Sequence, residues 1–413
     1  MNSIESSRLR LIGKLIKVYR EELKNEKNRD FTMQNFCNLI CSLRTLSRLE
    51  NGEYCKNREI YSQLLDKLGL ELYQYPQVDD AIKNSLKGLY EAIEIYDKSK
   101  IIMICNKNLK VLEHIKRVVY YSELYALFAN IKQYYANDLE ISIKTMKRYI
   151  RLIRIFPPEY SSLLRIMIFS RLSLIVMLDI NQYKQNVDEI SLLNDDLPCV
   201  RMLMLHYYYV TSQYICMREL SEELIKIFRN ENNAIRLLDV YNYTLYLYSK
   251  IDINKRNEIR SKIDELINEN DIPSIKISEI YANIGVLLYE ENSYEEALGY
   301  FEIMILKTKD IYLPHLLYMA NCQRHLNKVI KLPEIEPNML LKYSTELQFM
   351  YKYYSNFYEL KPFDRQNIII KKIAPHLKDP DLISIFRYEM FRVVEETNSY
   401  KYLYLFEKIL KES

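Results

Sequence analysis

The sequence predicts an all-α protein, with a unit of short helices over residues 1–75 and an array of longer helices over residues 76–413. Three observations carry that expectation. Apolar residues recur at three- and four-residue steps, as in Leu9, Ile12, Leu15, Ile16 and Tyr19, and strand-like alternation is never sustained. Only six glycines and eleven prolines punctuate 413 residues, too few for the turns of a β-sandwich or barrel. The chain is 49% hydrophobic and 27% charged, enough to build a sizeable core.

The same composition excludes several functions. The glycines, at 13, 52, 69, 88, 285 and 299, lie too far apart for a dinucleotide-binding or phosphate loop. Seven cysteines are an odd number, none forms CxxC, and the five histidines lie away from them. Reduced cysteines in a cytoplasmic protein are expected, with no disulfide framework and no metal. No nucleophile elbow or HExxH motif occurs, so neither an enzyme nor a cofactor is expected. Arg8, Arg10, Lys14 and Lys17 interrupt the first apolar positions, unlike a signal peptide. The most apolar stretch, Ser161 to Ile180, carries Arg165, Arg171 and Asp179, and reads as a buried helix rather than a membrane span.

Charge is uneven. Residues 1–75 hold 13 basic and 10 acidic side chains, the whole net excess of +3, and the remainder is balanced. A basic N-terminal unit on a neutral body fits a polyanion-binding module.

Within that unit, Leu9 to Leu23 form the first helix. Thr32 caps a short second helix with Phe36, Cys37 and Ile40. Ser42 caps a third, in which Leu46 and Leu49 point inward and Arg44, Thr45, Ser47 and Arg48 outward. Asn51-Gly52 stops it with a left-handed residue, and Ile60 to Leu70 closes the unit. Two short helices joined by a tight turn, the second exposing arginine and hydroxyls, describe a helix-turn-helix with a recognition helix.

The stretch Phe31, Thr32, Phe36, Cys37, Ile40, Cys41, Ser42, Leu46, Ser47, Arg48, Leu49, Glu50, Gly52 resembles the Cro- and phage-repressor-type helix-turn-helix. It is most similar to the version that heads the Rgg/PlcR/PrgX regulators, in the RRNPP group of peptide pheromone receptors. It departs from that pattern at Met33, where the family has Gln, and in a longer loop from Lys24 to Asp30. The resemblance implies base-facing positions at Leu43, Arg44 and Arg48. Arg44 is the candidate for a bidentate contact to guanine. Arg48 either contacts base or phosphate, or pairs with Glu50 or a neighbouring acid. Leu43 either packs against a partner or meets a thymine methyl. Ser42, Thr45 and Ser47 can donate to phosphate or base edges. Tyr54, Lys56, Asn57 and Arg58 follow as backbone contacts or as a solvated loop.

Beyond residue 75, polar or proline-bearing breaks at 156–158, 195–196, 230–233, 271–274, 332–337, 361–362 and 379–380 separate helices of roughly 12–20 residues. Such spacing is the signature of stacked helical hairpins. Ser278 to Met304 resembles a tetratricopeptide repeat: Tyr281 at the first aromatic position, Ile284-Gly285 at the Leu-Gly pair, Ala297 and Phe301 in the second helix. Asn137 to Met146 is a weaker echo that puts Ser142 at the small position of Ala297. These matches imply a right-handed superhelix of tetratricopeptide-like hairpins with a concave groove. In such arrays an Asn two residues after the aromatic position holds a peptide backbone, because a carboxamide both donates and accepts. Asn283 stands there, and Asn242 and Asn321 fall at comparable places in the neighbouring first helices. Arg324, and more weakly Arg201, Arg236 and Tyr208, complete the groove candidates.

Together these resemblances imply a transcriptional regulator controlled by a small signalling oligopeptide. It would read an inverted repeat in double-stranded DNA as a homodimer. The alternative is a Rap-like interaction module that binds a partner protein through the helical array. A dimer contact is expected near residues 338–411, where Leu340, Leu341, Phe349, Tyr353, Phe357, Phe391, Tyr404 and Phe406 supply either interface or core.

Overall fold

The computed structural model describes residues 4–26, 28–137, 139–175, 179–307, 312–341 and 343–412. Among them regular structure is helical and no strand forms; one isolated bridge joins Glu71 and Val118. The residues cluster into two compact units, Met1–Tyr243 and Thr244–Ser413. The boundary expected after residue 75 lies inside the first.

The first unit opens with α1 (Ser6–Asn25), α2 (Met33–Cys37), α3 (Leu43–Glu50) and α4 (Arg58–Lys67). It continues with α5 (Pro76–Glu94), α6 (Lys98–Leu112), α7 (Val119–Asn137), α8 (Ile143–Ile153), α9 (Ser161–Ile175), α10 (Ile180–Ile190), α11 (Pro198–Val210) and α12 (Tyr214–Asn230). The unit boundary falls within α13 (Ala234–Ile251). The second unit holds α14 (Ile253–Glu269), α15 (Ser274–Glu290), α16 (Tyr294–Lys307), α17 (Leu313–His325), α18 (Pro337–Leu340), α19 (Thr345–Ser355), α20 (Pro362–Ile368), α21 (Pro380–Thr397) and α22 (Lys401–Glu412). No described helix is long and apolar enough to cross a membrane.

The starts follow local chemistry. Thr32, Ser42, Asn57, Asp97, Ser142, Asp179, Asp252, Ser344 and Asp379 each accept a backbone N–H of the first turn. Prolines open α5, α11, α17, α18, α20 and α21, where the missing N–H leaves no bond unmade. Ser142 therefore does not match Ala297. Its hydroxyl accepts from Thr145 N–H and sets it before α8, exposed, whereas Ala297 is buried within α16.

Four features position the candidate sites. In the first 70 residues, Leu9, Ile12, Leu15 and Ile16 of α1 are fully buried, as are Phe36, Leu46, Tyr61, Leu64 and Leu65 of the next three helices. Gly13 is obligatory there, because a Cβ would stand 2.3 Å from the Leu49 carbonyl oxygen. A buried ion pair ties α1 to α3: Arg20 Nε and Nη2 donate to the two Glu50 oxygens at 2.6 and 2.8 Å. A second set of ions fixes α1 to the helices that follow. Arg148 of α8 pairs with Glu22 and with buried Glu123 of α7, and its guanidinium lies over the Tyr19 ring at 4.4 Å. Arg151 pairs with Glu21, Lys144 with Glu26 at 2.7 Å, and Arg8 with Asp79 at 2.9 Å.

In the second unit α15 packs along α16 as a hairpin. Gly285 permits the close approach, since a Cβ would sit 2.8 Å from Phe301 Cε1. Most of the apolar residues expected near 338–411 divide between core and surface. Tyr353, Phe357 and Phe406 are buried, and Leu341, Phe391 and Tyr404 are exposed.

Candidate nucleic-acid interface and ligand cleft

Five residues, 38–42, join α2 to α3. Leu39 in that turn takes the left-handed conformation, φ 65°, and is 98% exposed. Ser42 caps α3 by accepting from Thr45 N–H at 3.1 Å, and the two hydroxyls lie 2.9 Å apart, so both are partly committed to each other. Leu46 and Leu49 face inward, which leaves Leu43, Arg44 and Arg48 exposed and Thr45 and Ser47 partly so. Arg44 has no partner in hydrogen bonding or ion pairing among the described residues. Arg48 pairs with Glu53 across 2.5 Å on the surface. Glu50 cannot serve it, being buried against Arg20. Asn57 caps α4, and Arg58 donates to the Ile4 carbonyl at 3.2 Å, so both belong to the scaffold as well as to the surface. Tyr54 and Lys56 are exposed beside them.

The second unit contains a cleft of about 650 Å³. Asn283 and Val286 of α15 form one wall, and Tyr312, His315 and Tyr318 at the start of α17 another. Glu346 and Met350 of α19 and the segment His376–Asp379 before α21 close it. The Asn283 carboxamide is partly buried and makes no hydrogen bond to the described protein, while the backbone carbonyl of Asn283 accepts from Tyr246 Oη at 3.4 Å. Burial pushes the His315 imidazolium down to about 4, so near pH 7 the ring is neutral, with one donor and one acceptor nitrogen. His376 Nδ1 stands 3.7 Å from Glu346 at the rim. An unpaired carboxamide and a neutral imidazole suit the N–H and C=O groups of an extended chain.

The other groove candidates lie elsewhere. Asn321 is 0% exposed; its Oδ1 accepts from Tyr289 Oη at 2.5 Å and its amide donates to Tyr354 Oη at 3.4 Å. Arg324 donates twice to the buried Glu389, each at 3.1 Å, and stacks on Phe357. Both hold the second unit together rather than line its cleft. Asn242 belongs to the first unit, and its Oδ1 is buried with no hydrogen-bond partner among the described residues. Arg236 is buried, bonded to the Ile93 and Glu94 carbonyls and to Asp239, and so caps the end of α5. Arg201 pairs with Glu223, and Tyr208 is buried.

Sequence reasoning missed His315, Glu346 and His376 as neighbours of Asn283, because the four residues come from four separate segments with no shared motif. Pro314 in the first turn of α17 and Pro380 after Asp379 are the local signals that two helices start there. A scan against protein-family models and a search of the curated proteins found no match to this chain.

Proposed function

We propose that this protein is a DNA-binding transcriptional regulator of the RRNPP kind, whose activity is set by a short oligopeptide held in the cleft around Asn283. The N-terminal helices are read as a helix-turn-helix, with α3 as the recognition helix. The later helices are read as a tetratricopeptide-like superhelix in a cytoplasmic homodimer. The observation that carries the reading is the division of α3. Its Leu46 and Leu49 are buried against α1, while Arg44 is exposed and unpaired at the end that would enter a major groove. Arg44 is kept as the base-reading residue. Arg48 is read as a phosphate contact that must first release Glu53, and Ser42, Thr45, Ser47 and Leu43 as the surrounding surface.

For the peptide, Asn283 is the backbone-binding residue, with His315 beside it. Exposed Leu341, Phe391 and Tyr404 are the dimer candidates. Arg44→Ala should weaken binding to promoter DNA recovered by selection, by about 1–3 kcal/mol, and relax preference at one base pair. Unchanged specific affinity in a gel-shift series would remove α3 from recognition. Asn283→Ala should weaken retention of pentapeptides by the full chain and leave DNA affinity unchanged. A protein partner that binds equally well after deletion of the Arg44 side chain, with no DNA site recovered, would turn the reading to the interaction module.

A further inference from the structure

Backbone closure at the end of α3 fixes where Glu53 stands. Gly52 takes the left-handed conformation, φ 83°; its N–H meets the Leu49 carbonyl at 2.9 Å, and the N–H of Glu53 reaches back to the Arg48 carbonyl at 3.0 Å. Such a closure turns the chain back along the helix. Position 52 has no freedom to give way, because a Cβ there would be strained and would stand 2.5 Å from Lys14 Cε. Glu53 is thereby held beside the residue whose carbonyl it bonds. Its Oε2 accepts from Arg48 Nε at 2.5 Å, although the two side chains are 50% and 61% exposed.

An exposed ion pair is weak. Solvent screens it and two long side chains lose freedom, so it shifts an equilibrium by up to about fivefold. That magnitude suits a contact that is exchanged rather than kept. A DNA phosphate offers Arg48 the same kind of oxyanion, and neutralising it releases condensed counterions. Leaving Glu53 opposes this twice. The guanidinium must first give up its partner, and the stranded carboxylate then faces a polyanion. Neither effect depends on base sequence.

We infer that Glu53 is a brake on backbone affinity: it competes with DNA phosphate for Arg48 and lowers binding to every sequence alike. Resting on the DNA-binding reading, this gives Glu53 the setting of overall affinity and salt dependence and leaves base preference to Arg44. In the complex a cation from solution takes the place of Arg48 at Glu53, so part of the counterion release is returned.

The test is a double-substitution cycle on the full chain, with Glu53→Gln, Arg48→Gln and both together. Each is titrated on a random-sequence duplex and on duplex recovered by selection, from about 50 to about 200 mM salt. Glu53→Gln should tighten binding to both duplexes by about three- to fivefold at the lower salt, with their ratio unchanged. The slope of log affinity against log salt should steepen by about one. Glutamine keeps the side-chain length and the backbone bond at 53, and a damaged α3 would weaken binding, so the gain cannot come from misfolding. With Arg48→Gln already present, Glu53→Gln should gain less than about twofold. Equal gains in both backgrounds overturn the inference, since Glu53 then acts by general repulsion and not through Arg48. Unchanged or weaker binding in Glu53→Gln also overturns it, and leaves the DNA reading standing where the unmodified protein binds. Binding of neither duplex by the unmodified protein overturns both.

Discussion

Removing the Arg20 guanidinium should free α3 from its support. Arg20 and Glu50 are 4% and 3% exposed and share two hydrogen bonds of 2.6 and 2.8 Å; a third bond runs from Arg20 to the Phe31 carbonyl at 3.3 Å. Arg20→Met keeps most of the buried stem and leaves the Glu50 carboxylate without a cation. Breaking a buried pair from one side costs about 3–5 kcal/mol, most of it the desolvation of the stranded charge. At about 1.4 kcal/mol per tenfold, that is roughly two to three and a half orders of magnitude in the opening equilibrium of α3. Amide hydrogen exchange by mass spectrometry, read on peptides spanning residues 43–50, reports that equilibrium directly. Arg20→Met/Glu50→Leu removes both ions, and its α3 should exchange within about tenfold of the unmodified protein, because apolar packing replaces buried pairs at little cost. Less than tenfold acceleration in Arg20→Met would refute the pair as the support of α3. A double variant as labile as the single one would refute desolvation as the cause.

Three further outcomes are expected. Leu39→Gly should stabilise the N-terminal helices by up to about 1 kcal/mol, since a left-handed non-glycine residue costs about 1–2 kcal/mol and the exposed side chain buries nothing; slower α3 exchange checks it. Arg148→Ala strands buried Glu123 beside Glu22 and should cost the first unit about 3–5 kcal/mol, seen as faster limited proteolysis between residues 68 and 75. For pH, the folded-state histidines at 206, 315 and 325 titrate near 4, below their unfolded value near 6.5. Their contribution is complete above pH 6.5 and is lost as pH falls toward 4, so unfolding midpoints should drop across that window and His315→Gln should flatten the drop. Peptide affinity, by contrast, should stay level between pH 7.5 and 6.5 if His315 acts as a neutral ring, and a steep change there would contradict its burial.

Much of the fold was legible because the signals were local. Hydroxyl and carboxylate caps at Thr32, Ser42 and Asp379, and prolines at 76, 198 and 380, mark starts that one turn of backbone decides. Gly285 against Phe301 was equally readable, since a small residue opposite a ring needs no distant partner to make sense. The candidate site was less legible because it depends on which face of a helix turns inward. Asn283 and Asn321 are 38 residues apart and occupy similar places in α15 and α17. One carboxamide meets a cleft, and the other is closed in by Tyr289 and Tyr354 from two other helices. Sequence spacing registers the helix and not its rotation, so asparagines at similar places in two helices are divided between cleft and core.

The ion pairs of α1 constrain how the N-terminal helices can move. Glu21, Glu22 and Glu26 all face basic residues of α8, and Arg148 is also clamped by Glu123 and stacked on Tyr19. A tethered domain exposes a polar linker with few crossing contacts. Here the short segment between α4 and α5 is itself bonded, Tyr75 N–H to Tyr121 Oη at 2.8 Å and Glu71 N–H to the Arg117 carbonyl at 2.9 Å. The N-terminal helices are therefore part of a body that extends to residue 243, and swinging them alone would break several partly buried charges at once. On the proposed function, peptide binding in a homodimer is read out as a change in the separation of two recognition helices. DNA half-site spacing is the quantity such a movement alters, because each recognition helix must meet its groove a whole number of turns from the other. Binding to operators with the half-sites moved by one to three base pairs, with and without the retained peptides, should shift the preferred spacing. A preferred spacing that is the same in both, with only overall affinity changed, would place the control at dimer formation instead.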